Sequence, residues 1–186
     1  MRVIAGSLKG RQLKAPNWDG LRPTSDKLRE TLFNVLAPRV AGARVLDGYA
    51  GTGAVGIEAL SRGAAHVTFL EQDRRAAALI AENLSRCGVE NGYAIIRAPA
   101  GRAVATLQAD PAFVPFDIIL LDPPYDQPPD RVLSEVGSHD RLLAPGGILV
   151  LEHARREQPP EAAGRLARTR LLTSGDSALS FYACPP

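Results

Sequence analysis

The chain contains few of the residues on which several protein classes depend. It has 2 cysteines in 186 residues, Cys87 and Cys184, too few for a disulfide framework or a cysteine-based zinc site. Its 3 histidines share no ligand spacing with each other or with the cysteines, so we expect no metal. No apolar run approaches the roughly 18 residues of a membrane span, and the N-terminus lacks a signal-peptide core. We therefore expect a cytoplasmic protein without a membrane partner.

Apolar residues are plentiful, at 45% of a chain whose length is typical of one domain. The 22 basic and 20 acidic residues nearly balance, which excludes a highly charged disordered tail protein. The charge is nevertheless uneven. Residues 1–30 contain seven basic and three acidic side chains, a net charge of +4, and the remaining 156 residues carry −2. A basic segment on a near-neutral body is a common way to bind a polyanion, although a solvated hairpin explains it as well.

The first 40 residues predict a small extension. Short apolar runs around residues 2–4 and 12–13 indicate a hairpin. Apolar residues at helical spacing follow, with Thr24 or Ser25 as the N-cap and Pro38 as the end of the helix. Trp18, beside the basic residues, either stacks on RNA or packs a turn. We expect residues 1–40 to be a basic, RNA-binding hairpin and helix, and residues 41–186 to be the main domain.

From residue 43, short apolar strands alternate with helices. This alternation is typical of a mostly parallel sheet covered on both faces. A helix is predicted over residues 130–142, ended by Pro145 and Gly146, and a fifth strand over residues 147–152. Residues 166–172 and 178–183 predict a terminal antiparallel hairpin. The sequence therefore predicts an α/β fold.

A glycine-rich loop lies between the first of these strands and the next helix. Gly51, Gly53 and Gly56 form a G-x-G-x-x-G motif, and Glu71 lies 20 residues after Gly51, at the end of the second strand. Backbone amides of such a loop can approach a nucleotide-like ligand. A carboxylate at the position of Glu71 can accept both ribose hydroxyls of an adenosine.

Asp47, four residues before Gly51, favours one cofactor class over another. The diphosphate of a nicotinamide dinucleotide binds at the helix start, where Asp47 would add an unfavourable anion. S-adenosylmethionine (SAM) has a positive ammonium and a positive sulfonium and no phosphate, so it suits this carboxylate. The motif therefore favours SAM. A nicotinamide-dependent oxidoreductase and a tight turn without a ligand stay open as alternatives.

The fourth predicted strand ends in Asp-Pro-Pro-Tyr at residues 122–125. Ligands of a doubly wound sheet bind beyond the carboxyl ends of the strands, so Asp122 falls on the same rim as Asp47 and Glu71. Two prolines remove two amide donors and leave the Asp122 carboxylate and the Pro123 carbonyl as acceptors. An ordinary strand-to-loop turn is the alternative interpretation.

This acceptor pair suits methylation of a nucleobase amine. The lone pair of such an amine is delocalised into the ring, which makes the nitrogen a poor nucleophile. Two acceptors that hold its two N–H groups draw the nitrogen toward a tetrahedral shape and free the lone pair. Tyr125 can stack on a base flipped out of its helix. Most of the rate would come from holding nitrogen, methyl carbon and sulfur in line.

Together these segments resemble the bacterial 16S rRNA guanine-N2 methyltransferase family over nearly the whole chain. The N-terminal stretch is the specific part, since many amine methyltransferases share the two central motifs. The resemblance is carried by residues 2–6, 10–11, 21–24, 28–36, 47–56, 58–64, 122–125, 175–176 and 179–182.

The resemblance implies a Rossmann-like class I SAM-dependent methyltransferase. Its sheet would be mostly parallel and seven-stranded, with an antiparallel C-terminal hairpin, after an N-terminal β-hairpin and helix. It implies methyl transfer from SAM to the exocyclic N2 amine of a guanine in 16S rRNA, in the small ribosomal subunit or an assembly intermediate; no protein partner is evident. The implied cofactor contacts are Asp47, Tyr49, Gly51, Gly53, Glu71, Gln72 and Ala98. The implied catalytic residues are Asp122, Pro123 and Tyr125, and the implied substrate contacts are Lys9, Arg11, Arg22 and Thr24.

Two positions depart from the family pattern. Residues 97–100, Arg-Ala-Pro-Ala, lack the acid that usually receives the adenine amino group, so we expect the adenine contact either to come from backbone groups or to be weaker. Gly48 stands where leucine is more usual. Other functions also fit the motifs. The acceptor could be adenine N6 in DNA or RNA or a protein glutamine amide, and the chain could be a non-catalytic RNA-binding module.

Overall fold

The computed structural model describes residues 1–18, 24–124, 126–137 and 139–185. The helices in these ranges are α1 (Asp26–Val40), α2 (Ala54–Ser61), α3 (Arg74–Arg86), α4 (Ala100–Ala109) and α5 (Pro129–Gly137). The strands are β1 (Arg44–Gly48), β2 (His66–Leu70), β3 (Tyr93–Ile96), β4 (Phe116–Leu121), β5 (Leu143–Ala154), β6 (Ala162–Ala163), β7 (Leu166–Ser174) and β8 (Ser177–Ala183). In the described residues, no helix combines the length and the apolar character that a membrane span requires.

The strands form one sheet in the order β3-β2-β1-β4-β5-β8-β7-β6. The five strands from β3 to β5 in this order pair in parallel, and β5-β8, β8-β7 and β7-β6 pair antiparallel. The expected mostly parallel sheet with a C-terminal hairpin is confirmed. The described residues add an eighth strand, the two-residue β6 at the sheet edge, which is too short to show any periodicity. The strand order reverses between β1 and β4, which creates a crevice at their carboxyl ends.

Apolar side chains cover both faces of the sheet. Val45 belongs to one buried cluster, with Leu32 and Phe33 of α1. Its neighbour Leu46 belongs to the other, with Val104 of α4 and Val132 of α5. Successive strand residues point to opposite faces, so the adjacent apolar residues Val45 and Leu46 of β1 serve both layers. The first cluster also contains apolar residues of the N-terminal extension, which therefore shares its core with the sheet.

The N-terminal hairpin is present but minimal. Arg2 and Gln12 form an isolated antiparallel bridge, and the Val3 amide donates to the Arg11 carbonyl at 3.0 Å. The turn is clamped onto α2. The buried Glu58 carboxylate accepts the amides of Ile4 at 2.7 Å and Ala5 at 3.0 Å.

Gly6 shows how closely the hairpin approaches α2. Its φ is +83°, and an added Cβ would lie 1.8 Å from the backbone oxygen of Ser61. The Ser7 amide donates to that same oxygen at 2.7 Å. Residues 4–8 and 58–61 are therefore the two sides of one interface.

Two predicted helix ends are wrong. Helix α1 continues past Pro38 to Val40: the proline removes one i→i−4 hydrogen bond, but the last turn persists with Val40 buried in the core. The predicted helix 130–142 ends at Gly137, and β5 begins at Leu143 rather than at residue 147. Residues 144–147 form a bulge, since the pairing jumps from Phe116–Leu143 to Ile118–Ile148.

Candidate active site

A cleft of about 740 Å³ opens at the carboxyl ends of the parallel strands, within the range of about 300–1,000 Å³ typical of cofactor sites. Its floor is formed by the glycine-rich loop after β1, by residues 70–73 around the end of β2, by Ala98 after β3 and by residues 122–124 after β4. Trp18 and the start of α1 form a further wall. The two acidic motifs of the sequence therefore open into one continuous space.

Each glycine of the loop is needed for a different physical reason. Gly51 and Gly53 have φ of +55° and +76°, left-handed values that a residue with a side chain rarely adopts. At Gly56 an added Cβ would lie 2.2 Å from the Phe69 ring and 2.9 Å from a carboxylate oxygen of Asp47. The first two glycines shape the turn, and the third lets α2 pack closely on β1 and β2.

Asp47 is a buried carboxylate at the end of β1. The Gly56 amide donates to its Oδ2 at 2.8 Å, and among the described residues no lysine or arginine forms an ion pair with it. Burial raises the pKa of Asp47 to about 7; the Gly56 hydrogen bond opposes this shift, and the charges of Asp122 and Glu71 add to it. A cationic ligand in the cleft would stabilise the ionised form of Asp47.

Glu71 connects the loops that follow β1 and β2. We call this part of the cleft, lined by Asp47, the glycine-rich loop, residues 71–73 and Ala98, the cofactor end. Its Oε2 accepts the Gly51 amide at 2.9 Å, and its Oε1 accepts the Asp73 amide at 2.8 Å. Two backbone donors fix the carboxylate in one orientation, and an ionised carboxylate has further lone pairs that can accept from a ligand. Gln72 and Ala98 line the same end of the cleft.

Gly48 and Tyr49 adopt an unusual backbone between β1 and the glycine loop. Tyr49 has φ +67°, the single positive φ of a non-glycine residue in the described ranges. Its hydroxyl donates to Gln127 at 3.1 Å, and burial raises the pKa of Tyr49 to about 12. An added Cβ on Gly48 would lie 2.7 Å from Cδ2 of Leu121. A side chain at position 48 would therefore require the Leu121 side chain to move.

Asp122 lines the cleft on its β4 side, immediately after that strand; we call this side, with Pro123 and Thr24, the acceptor end. The Thr24 hydroxyl donates to its Oδ2 at 3.1 Å, and its own amide is 3.4 Å from the Gly48 carbonyl. Burial raises the pKa of Asp122 above its usual range, and the Thr24 hydrogen bond opposes the shift. Pro123 is buried beside it and Pro124 is exposed at the cleft.

The structure brings together most of the residues singled out from the sequence. The cleft is lined by nine of them: Asp47, Tyr49, Gly51, Glu71, Gln72, Ala98, Asp122, Pro123 and Thr24. Gly53 lies within the glycine-rich loop of the cleft. Lys9 and Arg11 are exposed and do not line the cleft. Arg22 and Tyr125 lie outside the described residues. Within the described ranges, no group of three or more histidine, cysteine, aspartate or glutamate side chains could hold a metal ion.

Several residues of the cleft escaped the sequence analysis. Glu152 follows the register partner of Leu121 on β5, so the rule that functional residues follow parallel strands could have identified it. Ser174, Asp176 and Ser177 reach the cleft from the turn between β7 and β8, for which the resemblance implied no role. Arg75 and Trp18 meet at the cofactor end, a pairing that no local pattern indicates.

Comparison with known proteins bears on this site. The family model described as Conserved hypothetical protein 95 matches residues 1–183. The chain belongs to this family. YlbH of Bacillus subtilis, provisionally named an rRNA methyltransferase, is 38% identical over 182 residues, which cover 98% of each chain. Ribosomal RNA small subunit methyltransferase D of Escherichia coli is 42% identical over 125 residues, 67% of this chain and 60% of that protein.

A solved structure is similar to this protein over the whole fold. The Escherichia coli protein yhhF, provisionally named a methyltransferase, is 33% identical and superposes with a TM-score of 0.77, covering 98% of this chain and 96% of that one. The α/β architecture of this family member is therefore that of the SAM-dependent methyltransferases. The cleft lies where that fold places its ligands, at the reversal of strand order.

Proposed function

We propose that this protein transfers a methyl group from SAM to the exocyclic N2 amine of a guanine in 16S rRNA. The observation that carries the proposal is one continuous cleft with Asp47 and Glu71 at one end and the Asp122 carboxylate beside Pro123 at the other. Relatives named as small-subunit rRNA methyltransferases support the substrate class.

The cofactor end of the cleft fits SAM. Asp47 has no cationic partner among the described residues and would hold the ammonium group. Glu71 would accept the ribose hydroxyls, and the loop around Gly51 and Gly53 leaves backbone groups accessible. When bound, SAM supplies the electrophilic methyl group. No carboxylate follows β3, so backbone near Ala98 would face the adenine.

The acceptor end of the cleft holds the amine that attacks. The Asp122 carboxylate and the Pro123 carbonyl would each accept one N–H of the guanine amine, which turns its lone pair toward the methyl carbon. The new C–N bond forms as the S–C bond breaks, which leaves the nitrogen cationic. Asp122 in its ionised form can take the proton that this nitrogen then releases. The family resemblance adds Tyr125 as a stacking contact for the base.

The N-terminal extension, residues 1–40, would hold the RNA against the methyltransferase domain, residues 41–186. Its first 30 residues carry a net charge of +4, and the exposed Lys9 and Arg11 suit phosphate contacts. Thr24 reaches the cleft itself, and the family resemblance adds Arg22 to the RNA contacts. The substrate would be the small subunit or one of its assembly intermediates.

The test is methyl transfer from labelled SAM to small ribosomal subunits that lack the modification. Mapping of the labelled nucleotide should find one guanine of 16S rRNA, methylated at N2. Free 16S rRNA and mature subunits run in parallel distinguish the assembly state of the substrate. Label on adenine N6 or on protein would instead support the other amine acceptors, and a chain that binds RNA but incorporates no label would be a non-catalytic module.

A further inference from the structure

Trp18 belongs to the N-terminal extension, yet its side chain lines the cleft at the cofactor end. It is the one tryptophan of the chain, half-buried, and it lines the cleft together with residues 71–73 after β2. This is the cofactor end, because Glu71 and Gly51 border the same space. The basic extension thus contributes an aromatic side chain to the half of the cleft that does not receive RNA.

The extension is fixed along α3 before it reaches Trp18. The Lys14 amide donates to Oδ1 of Asn83 at 2.7 Å, and Asn83 Nδ2 donates back to the Lys14 carbonyl at 3.2 Å. The same Nδ2 donates to the Thr52 carbonyl, in the glycine loop, at 2.9 Å. The Lys14 ammonium pairs with Glu82 at 2.7 Å. Buried Asn83 therefore ties the extension directly to the cofactor loop.

Arg75 then holds the indole at the first turn of α3. Its guanidinium carbon lies 5.0 Å from the centroid of the Trp18 ring, in cation–π geometry. Arg75 also pairs with Asp73, the N-cap residue of α3, at 3.6 Å. One face of the indole is thus occupied by a cation, and both Trp18 and Arg75 line the cleft that a ligand would enter.

We propose that Trp18 is a cofactor-binding residue, whose indole packs against the adenosine part of SAM. The inference rests on SAM as the cofactor but not on the acceptor. It also accounts for the departure after β3. Where no acid receives the adenine amino group, apolar contact with a large aromatic ring supplies binding free energy instead. Aromatic stacking on a base strengthens binding by roughly tenfold or more.

The experiment uses the full-length protein and the fluorescence of its single tryptophan. Titration with SAM, and separately with its demethylated product, should change the emission saturably and should shield Trp18 from acrylamide quenching. Calorimetry should show that Trp18→Ala raises the Kd for SAM about tenfold or more, while Trp18→Phe stays within about threefold. Phe113→Ala is the matched control, since Phe113 is a half-buried aromatic residue outside the cleft; its Kd should equal that of the unchanged protein.

Two results would overturn the inference. One is a folded Trp18→Ala variant that binds SAM as tightly as the unchanged protein. The other, which needs no variant, is a protein that binds SAM by calorimetry while Trp18 stays equally open to quencher. Neither result touches the acceptor, because rRNA methylation is measured separately. Failure of the unchanged protein to bind SAM at all would instead contradict the proposed function.

Discussion

The two ends of the cleft hold their carboxylates in different ways. At the cofactor end, Asp47 and Glu71 accept hydrogen bonds from backbone amides, 2.8 Å from Gly56 and 2.9 Å from Gly51. At the acceptor end, Asp122 accepts from the side-chain hydroxyl of Thr24 at 3.1 Å. Backbone donors are fixed by the strand–loop–helix unit itself, whereas a side-chain donor is present only where a particular residue docks.

The difference shows which part of the chain completes each end. Among the described residues, the hydrogen-bond donors to Asp47 and Glu71 all lie between β1 and α3. The Asp122 carboxylate, for which we propose the catalytic role, accepts from Thr24 in the segment before α1. Three variants test this contrast through the affinity for SAM, the rate of methyl transfer, or both.

Asp122→Asn should have the largest effect. An amide removes the negative charge and the proton acceptor, so the single-turnover rate should fall about 10²-fold or more. The Kd for SAM should stay within about threefold, because the cofactor end keeps its own carboxylates. Calorimetry and rapid-quench methylation give the two numbers. Asp126→Asn, an exposed residue outside the cleft, is the control and should behave like the unchanged protein.

If the affinity of Asp122→Asn for SAM fell by a factor similar to the fall in its methylation rate, the two ends of the cleft would not be independent.

Asp47→Asn should act on the opposite quantity, with an intermediate effect. Loss of the carboxylate that faces the cationic ammonium should raise the Kd for SAM about tenfold. Because the pKa of Asp47 is about 7 without ligand, a cation must displace a proton below that pH. Affinity for SAM should therefore rise with pH through neutrality and level off above it. Calorimetry at several pH values tests the slope.

The Asp47→Asn variant should lose that slope. If its affinity still rises with pH through neutrality, another group is the titrating one and the role given to Asp47 is wrong.

Thr24→Val should give the smallest effect. Its hydroxyl lowers the pKa of Asp122, so its removal raises that pKa further. Methyl transfer needs the ionised carboxylate, and the acid limb of the kcat–pH profile should therefore move to higher pH. At neutral pH kcat should fall about twofold or less, and the loss should grow toward about tenfold on the acid limb, the range of one hydrogen bond. Thr24→Ser should restore the profile, and an unmoved profile in Thr24→Val would contradict a positioning role.

Strands were the most predictable elements of the fold. β2 (His66–Leu70) and β4 (Phe116–Leu121) are short runs rich in apolar residues, the pattern that a parallel strand covered on both faces leaves in a sequence. The wrongly predicted element ends lie where a tertiary contact outweighs a local sequence preference. Pro38 did not end α1 because buried Val40 holds the last turn, and the bulge before Ile148 extends β5 through a Pro-Gly pair.

The candidate site divides along the same line. Asp47, Glu71 and Asp122 could be placed on one rim from sequence, because the carboxyl ends of parallel strands meet at one edge of the sheet. The reason for Gly48 could not, since its constraint is the Leu121 side chain on a neighbouring strand. The positions of Arg22 and Tyr125 remain predictions.

By itself the sequence determined the architecture and the chemical character of the cleft, since hydrophobic period and strand-end residues are local properties. The tertiary structure decided which distant residues complete it. The Ile4 amide donates to Glu58, 54 positions away in the sequence, and the Thr24 hydroxyl donates to Asp122, 98 positions away. Trp18 meets Arg75 at the cofactor end. Periodicity carries no information about such pairs; they form because burial of the extension's apolar side chains docks it against the sheet and its helices.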